Sequence, residues 1–552
     1  MFTQRSQFPE ENKSAAAFSQ ARQKDTTTMP SLHSKLLVAA LAGSLTLSAA
    51  ESAGRFVPIF DGVSLKGWEG NPKLWSVEEG AIVGRTTEND PIPANSFLIW
   101  REGVVDDFEL RFEFMIKGGN SGVQYRSIEK PREWGPHILG GLQADFEAGE
   151  RHTGGLYGER SRRILARRGE KAQVGTDGKP TVTGSLGDPA ELQSLIDVDG
   201  WNSFAVLARG NRYIHKINGH VMVDVTDNDP NAPVSGLLGL QVHRGPPMTV
   251  KFRKIELKRL KMAGRHKVVF IGGVKSHGFA SHEHTAGIKL LMHALNENFP
   301  EVHSVAYFDG HPTDPTALDN ADAVVLYSNG GLGHPWLHAL RQVDALAARK
   351  AGIGAIHFAV ELPQGDPGAR FLDWIGGYFE RWWSVNPHWT IKNPKLAEGH
   401  PITNGVEPFE INDEWYFHMR FRQGMQGVTP ILQAIPPRES MNRPDGPASG
   451  NPYARAAVNR REPQTLMWAS ERPQGGRGFG FTGGHVHWNW AHPGYRKLVL
   501  NAIAWIAGAD VPSDGIDSGP YSMEDMLKNQ DFVPSGRYDL ATVEEMIEAW
   551  SN

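Results

Sequence analysis

The hydrophobic period of this chain changes once, at Ala263-Gly264-Arg265-His266. A sheet built on one period cannot share a core pattern with a unit built on the other, so the change divides the chain into two unlike domains. Upstream, Phe108-Glu109-Leu110-Arg111-Phe112-Glu113-Phe114-Met115-Ile116 places an apolar residue at every second position, the mark of a half-buried strand. Leu142-Gln143-Ala144-Asp145-Phe146-Glu147 repeats the pattern, and residues 201–208, 237–243 and 250–255 add further strands. Asn218-Gly219, between apolar runs at 213–217 and 221–225, predicts a two-residue hairpin. Many short strands with almost no helical pattern predict an all-β two-sheet sandwich over residues 55–260. Downstream, over residues 265–512, apolar strands near 267–270, 321–327 and 352–358 alternate with helices. One helix carries Ile288, Leu291, Met292 and Leu295 on a single face, and another runs over 338–349. That alternation predicts an α/β domain with a parallel sheet covered on both sides.

Glycine-rich turns directly after short apolar runs are where open α/β sheets place ligand sites. Here such turns are rich in histidine: Ser276-His277-Gly278, Ser281-His282-Glu283-His284 and Gly483-Gly484-His485-Val486-His487. Imidazole exchanges protons near neutral pH or binds a metal, which points to an enzyme. Cysteine is absent, which excludes disulfides, thiolate metal sites and a cysteine nucleophile. A net charge of -5 without a long basic stripe argues against nucleic acid as a partner. Sixteen Trp leave room for both sugar platforms and core rings.

Lys35, the uncharged run 36–47 and Ser48-Ala49-Ala50 read as a secretory signal, too short to span a bilayer. Met29 then becomes the expected initiator. Residues 1–50 form an N-terminal extension and signal peptide, and the mature protein is expected to be periplasmic or extracellular, free of the membrane. The alternative is a disordered arm with a weak anchor. Residues 422–463, rich in Pro, Arg, Asn and Gly, read as a lid or a disordered insertion. The tail 513–552 carries an amphipathic helix over 540–550 that docks on the body without a catalytic role.

In the first domain the alternation sorts side chains by face. Gln143, Asp145 and Glu147 share one face, opposite Leu142, Ala144 and Phe146. Gln124 and Arg126 share a face of their strand, as do Gln241 and His243 of theirs. If these faces line one concave sheet, polar groups converge on a sugar-sized groove; the alternative for each residue is an ordinary solvated face. The run Arg160-Ser161-Arg162-Arg163-Ile164-Leu165-Ala166-Arg167-Arg168 reads as a solvated basic loop beside that groove, or as an attractor for anionic sugars.

Gly119-Asn120-Ser121-Gly122-Val123-Gln124-Tyr125-Arg126-Ser127, Gly141-Leu142-Gln143-Ala144-Asp145 and Thr153-Gly154-Gly155-Leu156-Tyr157-Gly158 resemble the 3-keto-disaccharide hydrolase family, also described as 3-keto-glucoside 1,2-lyase/2-hydroxy-glucal hydratase. Phe60-Asp61-Gly62 through Gly67-Trp68, Gly239-Leu240-Gln241-Val242-His243 and Phe252-Arg253-Lys254-Ile255 extend the resemblance over the whole domain. It implies a concanavalin-like jelly roll and a chemistry that starts at a ketone. A C3 ketone acidifies the C2 hydrogen, a base removes it, a donor holds the enolate oxygen, the C1 substituent leaves, and water adds to the glucal. Asp145 and Glu147 are the first candidate bases, with His152 and His243 next. Arg126 is the candidate oxyanion donor and Tyr157 the leaving-group acid. Gln124, Gln143 and Gln241 are candidate substrate contacts. A divalent ion on the carboxylates is the alternative oxyanion partner.

The second domain resembles the trehalose-utilisation (ThuA-like) family, a branch of the class I glutamine amidotransferase-like, flavodoxin-like fold. The matching residues include His282-Glu283-His284, Ala355-Ile356-His357, Ser384-Val385-Asn386-Pro387-His388-Trp389, Asp413-Glu414-Trp415-Tyr416 and Phe481-Thr482-Gly483-Gly484-His485. The resemblance implies sugar metabolism. His357 stands near the place of the wider superfamily's nucleophilic cysteine, so glutamine hydrolysis through a thioester is excluded. His357, Glu361, Glu414 and His485 are the candidate acid–base cluster, with Trp415 as a sugar contact. Alternatively His277, His282 and His284 help bind one divalent metal, provided the backbone is extended there. No nucleotide or organic cofactor is expected. The leading expectation is an exported enzyme cleaving 3-keto-glycosides. A two-carboxylate glycosidase and a sugar-binding sandwich that delivers substrate to the α/β domain remain open.

Overall fold

The computed structural model describes residues 54–534 and 538–551; the signal-peptide expectation falls on residues outside these. The period-two region folds into two packed sheets. One has ten strands and contains Phe108–Lys117, Asn202–Arg209, Arg212–Ile217 and Met248–Arg259; the other has seven and is centred on Asn120–Glu129, Leu139–Glu147 and Leu237–Val242. Phe108, Leu110, Phe112, Phe114 and Ile116 point into the space between the sheets, where they meet Leu142, Ala144 and Phe146 from the opposite layer. The hairpin forms as its dipeptide requires: Asn218 and Gly219 adopt φ of 49° and 85°, the paired positive values of the turn that matches strand twist. The seven-stranded sheet is antiparallel throughout, and its face away from the core carries the polar residues of Leu139–Glu147.

The second domain has an eight-stranded sheet. Five parallel strands run in the spatial order Val302–Tyr307, His266–Gly272, Ala323–Tyr327, Gly352–Ile356, Arg477–Phe481. Taken in chain order this is 2-1-3-4-5, the doubly wound arrangement whose ligand crevice opens at the carboxyl ends of the strands. Three antiparallel strands, Gln464–Glu471, Val428–Ala434 and Lys395–Leu396, extend one edge. Residues 422–463 are thus part of the fold and not a disordered lid: Val428–Ala434 pairs in the sheet, and Pro452–Asn459 is a helix capped by Asn451. Their lack of hydrophobic period reflects one short strand broken by register shifts and several short helical turns, which bury too few consecutive residues to show one. The tail helix Leu540–Ser551 packs on the α/β core through Ile547. No helix among the described residues is long and apolar enough to cross a membrane.

Buried charges join the two domains. Lys267 Nζ lies 2.5 Å from Asp106 Oδ2, and Arg259 Nη2 lies 2.7 Å from Asp314 Oδ2. Asn320 Nδ2 donates to Asp106 Oδ1 at 2.9 Å, so the network is hydrogen-bonded as well as charge-paired.

Candidate active sites

The sandwich carries a cleft of about 1110 Å³ on the outer face of the seven-stranded sheet. Its lining includes Asn95, Asn120, Gln143, Asp145, Glu147, His152, Tyr157, Glu159 and His243. Period-two geometry does most of this work, because alternate residues of Leu139–Glu147 emerge on the cleft side while Leu142, Ala144 and Phe146 enter the core. Gly122 stands directly across from Asp145 in the neighbouring strand; a Cβ there would come within 2.6 Å of Gln143 Cγ. The bare backbone leaves room for the Gln143 side chain.

Asp145 sits at the end of a chain of amides. Ser127 Oγ donates to Gln124 Oε1 at 2.5 Å, Gln124 Nε2 to Gln143 Oε1 at 2.8 Å, and Gln143 Nε2 to Asp145 Oδ1 at 2.9 Å. Gln241 Nε2 also donates to Gln143 Oε1, at 2.9 Å, and Asn120 Nδ2 to Asp145 Oδ1 at 3.2 Å. Burial raises the Asp145 carboxyl from 3.8 to about 7 against the lowering effect of these amides, with the charges of Glu147 and Glu159 adding to the rise. Glu147 does a different job: its Oε1 accepts the backbone N–H groups of Arg151 and His152 and so holds the turn that carries His152.

Three sequence expectations need correction here. Arg126 is fully buried away from the cleft, where its guanidinium binds the carbonyls of Asp106, Gly210 and Pro233 and pairs with Asp107 at 2.7 Å. Its φ of 46° turns it off the face that strict alternation assigns, at a register shift between Tyr125 and Ile128. Gln124 and Gln241 do not line the cleft; they position Gln143 from behind. Glu159, whose Oε1 accepts from Asn95 Nδ2 at 3.2 Å, joins the lining from a strand with no clear alternation.

The α/β domain assembles its site at the carboxyl ends of its parallel strands. His357 follows Gly352–Ile356 with φ of 53°, a strained strand-to-turn position that aims its ring into the crevice. His282 comes from the loop after His266–Gly272, His485 from the loop after Arg477–Phe481, and Glu414 from the segment after Ile411–Asp413. Ligand atoms of His282, His357, Glu414 and His485 all lie within 4.8 Å of one another. His282 Nε2 is 2.9 Å from His485 Nδ1 and 3.1 Å from His357 Nε2; Glu414 Oε2 is 3.1 Å from His485 Nδ1 and 3.5 Å from His357 Nε2.

One nitrogen carries at most one proton, so His282 Nε2 cannot donate to both imidazoles. A cation would use all four lone pairs, and metal–ligand bonds of roughly 2.0–2.2 Å place tetrahedral ligand atoms a little over 3 Å apart. The surroundings fit. His357 Nδ1 bonds Thr482 O at 2.9 Å, which leaves Nε2 facing the cluster, and Asn386 Nδ2 donates to Glu414 Oε1 at 3.0 Å. Burial opposes ionisation of Glu414, but hydrogen bonds from His357 and His485 outweigh it and hold the carboxyl well below its usual range. Burial, then the neighbouring imidazoles, push His282 toward the neutral, ligating form.

His277 and His284 lie outside this ligand set. The loop is not extended: His282 has φ of 52° and His284 opens the helix His284–Asn298. His277 stacks on His282 with ring centroids 3.7 Å apart, and His284 turns toward Val274 O and Tyr327. Trp415 is a core residue, with its Nε1 on Ile411 O and its ring against Phe481 and Tyr495. Glu361 is raised to about 7 by burial, opposed by Arg381 and reinforced by Glu414. Sequence reasoning missed the role of Asp413. Its carboxylate accepts from the backbones of Gly484, His485 and Val486, from Asn489 Nδ2 and from Tyr495 OH, and so fixes the His485 loop. The contiguous Asp413-Glu414 pair was the only signal for it.

Residues 55–258 match the family model of the 3-keto-alpha-glucoside-1,2-lyase-like domain, and residues 268–506 match that of trehalose utilisation. A search of curated proteins finds no match. Among solved structures, a Parabacteroides distasonis protein assigned as a glycosyl hydrolase is 18% identical, spans 37% of this chain and 100% of its own, and has a TM-score of 0.26. A thua-like protein of Bacteroides uniformis is 16% identical over 44% of this chain and 92% of its own, with a TM-score of 0.32. A carbohydrate-binding module of Bacillus subtilis is 17% identical over 35% and 95%, with a TM-score of 0.23.

Proposed function

We propose that this chain, which joins a 3-keto-alpha-glucoside-1,2-lyase-like domain to a trehalose-utilisation domain, is an exported enzyme that cleaves 3-keto-glycosides in its sandwich cleft. The observation that carries the reading is the Asp145 carboxyl, buried in the cleft wall, steered by Gln143 and Asn120 and raised to about 7. A general base works best with a pKa near the operating pH. Asp145 takes the C2 proton of the bound keto sugar, and the electron pair moves onto the C3 oxygen as an enolate, with His152 or His243 as donor. The pair then returns to form the C1=C2 bond and expels the C1 oxygen, which Tyr157 protonates. Water adds across the double bond, hydroxyl to C1 and proton to C2, so that cleavage is net hydrolysis. In this reading Glu147 shapes the wall and is not the base.

For the α/β domain, one transition-metal ion on His282, His357, His485 and Glu414 is the reading the donor set supports. Three imidazoles and a single carboxylate favour such an ion over calcium or magnesium. Bound there, it would polarise a sugar hydroxyl or carbonyl as a Lewis acid. Glu361, raised to about 7 by burial, is the proton-exchanging candidate of this crevice, and Tyr416 OH, kept protonated by burial, lies 3.1 Å from His357 Nε2.

The test incubates the full chain with a 3-keto-glucoside and its unoxidised parent, with and without a chelator. Release of aglycone from the keto sugar alone supports the reading. Equal cleavage of both would return the two-carboxylate glycosidase, and binding without turnover would return the delivery module. Metal analysis of the purified protein and of Glu414→Gln checks the second site.

A further inference from the structure

The basic run after Glu159 has three separate fates. Arg162 is neutralised by Asp227 and Asp229, at 2.7 and 3.1 Å. Arg168 is spent on the carbonyls of Pro189, Thr153 and Glu150. Arg160 and Arg163, however, line the cleft, together with Arg244 from the loop after Leu237–Val242. Arg163 and Arg244 are exposed and form no ion pair among the described residues. Arg160 Nε is buried without a hydrogen-bond partner and ion-pairs with Glu159 Oε1 at 3.8 Å.

Their placement is built, not incidental. Arg160 and Arg163 both hold positive φ, 51° and 65°, at the two ends of one tight hairpin. Two non-glycine residues in the left-handed region of a single turn mark backbone strain of the kind that gathers at binding sites. Asn95 ties the two arginine-bearing segments together, since its Nδ2 donates to Glu159 and its Oδ1 accepts the Arg244 N–H at 3.0 Å. The exposed Trp134 ring lies 5.1 Å from the Arg160 guanidinium. Of the cleft carboxylates, Asp145 is buried, Glu147 Oε1 is bound to backbone N–H groups and Glu159 pairs with Arg160, so none of them ion-pairs with Arg163 or Arg244. Arg163 and Arg244 line the cleft without counter-charges, and guanidinium groups left so attract an anion.

We infer that the cleft selects glycosides whose leaving group carries an anionic substituent, a carboxylate, sulfate or phosphate, seated on Arg160, Arg163 and Arg244. The inference rests on the cleft being the glycoside site of the proposed function. Guanidinium presents paired donors that match all three oxyanions.

Binding to the full chain separates this inference from the keto chemistry. Aryl glucosides that differ only in a para hydrogen, carboxylate, sulfate ester or phosphate ester are titrated calorimetrically in their unoxidised form, at low and at physiological salt. Charged ligands are expected to bind roughly tenfold tighter, with the gap narrowing as salt rises. The ratio of charged to neutral affinity is expected to collapse in Arg163→Gln/Arg244→Gln, with thermal melting as the check on folding and the single Arg163→Gln variant as the milder form. The three anions, compared with one another, identify which group the rim takes. Equal affinity for neutral and charged ligands overturns the inference, as does a preference that survives the double variant. A charge preference without turnover of the 3-keto forms leaves the inference standing and removes the proposed reaction. Turnover without a charge preference does the reverse.

Discussion

The two candidate sites are assembled by opposite routes. In the sandwich, Gln143, Asp145 and Glu147 stand on one strand, and a single alternation brings them to one cleft wall. In the α/β domain, His282, His357, Glu414 and His485 come from four separate loops, and the longest span between them is 203 residues. The first site is made by local geometry and tuned by burial. The second is made by sheet order, which brings three parallel-strand ends together, with Glu414 added from a separate two-stranded sheet. The electrostatic outcomes also diverge. Asp145 is pushed up to about 7 by desolvation, whereas hydrogen bonds from two imidazoles pull Glu414 well below the normal range. One carboxyl is suited to taking a proton, the other to staying ionised beside a cation.

If that division holds, Asp145→Asn should lower kcat/KM for a 3-keto-glucoside by roughly 10²–10⁴-fold and leave the metal content of the α/β site unchanged, as measured by elemental analysis. An Asp145→Asn protein that keeps its full rate would remove Asp145 as the base. The converse variant, Asn386→Ala, deletes a hydrogen bond to Glu414. It should weaken cation binding by roughly 10–100-fold, read by competition with a fluorescent chelator.

The pH profile sharpens the comparison. Asp145 must be ionised to act, so kcat/KM should rise with pH through about 7 and then level off. A profile flat from pH 5 to 8 would sink the assignment. The same shift has a stability consequence of opposite sign. Because the folded pKa is raised from 3.8 to about 7, the folded protein holds this proton more tightly than the unfolded chain. The stability it contributes is fully present below about pH 4 and is lost as pH rises through 7. Asp145→Asn should therefore be more stable than the parent at pH 8, by on the order of 1–3 kcal/mol. Denaturant titrations at pH 8 and pH 4 should show the gap shrinking at the lower pH.

Asp413 tests the other half. The hydrogen bonds to its carboxylate hold the His485 loop from inside the core. Asp413→Ala should lose cation binding although Asp413 is not among the ligands, with a melting-temperature drop that added cation does not restore.

The sandwich was the more legible domain because its information is short-range. Alternation predicts both the core face and the cleft face of Leu139–Glu147, and the Asn218-Gly219 turn follows from two residues. The same rule misplaced Arg126, where a register shift rotates the side chain, and it misjudged Gln124 and Gln241, which are buried against Gln143 and do not line the cleft. Period says which side a residue leaves by, not what then lies above it. For the α/β domain, the histidine-rich turns marked the right loops, yet the expected ligand triad was drawn from neighbours in sequence. His282 alone of the three joins the cluster, because the positive φ at that residue sends its ring away from His284.

By itself the amino-acid sequence determined the two fold classes, the exclusion of thiol chemistry and the faces of the sandwich strands, since each depends on residue type or on spacing within one element. Tertiary structure alone decided which histidines meet, which glutamines are covered and which arginines are left without a counter-charge. Those outcomes depend on contacts between segments tens to hundreds of residues apart, and no periodicity within one strand or helix encodes a partner on another.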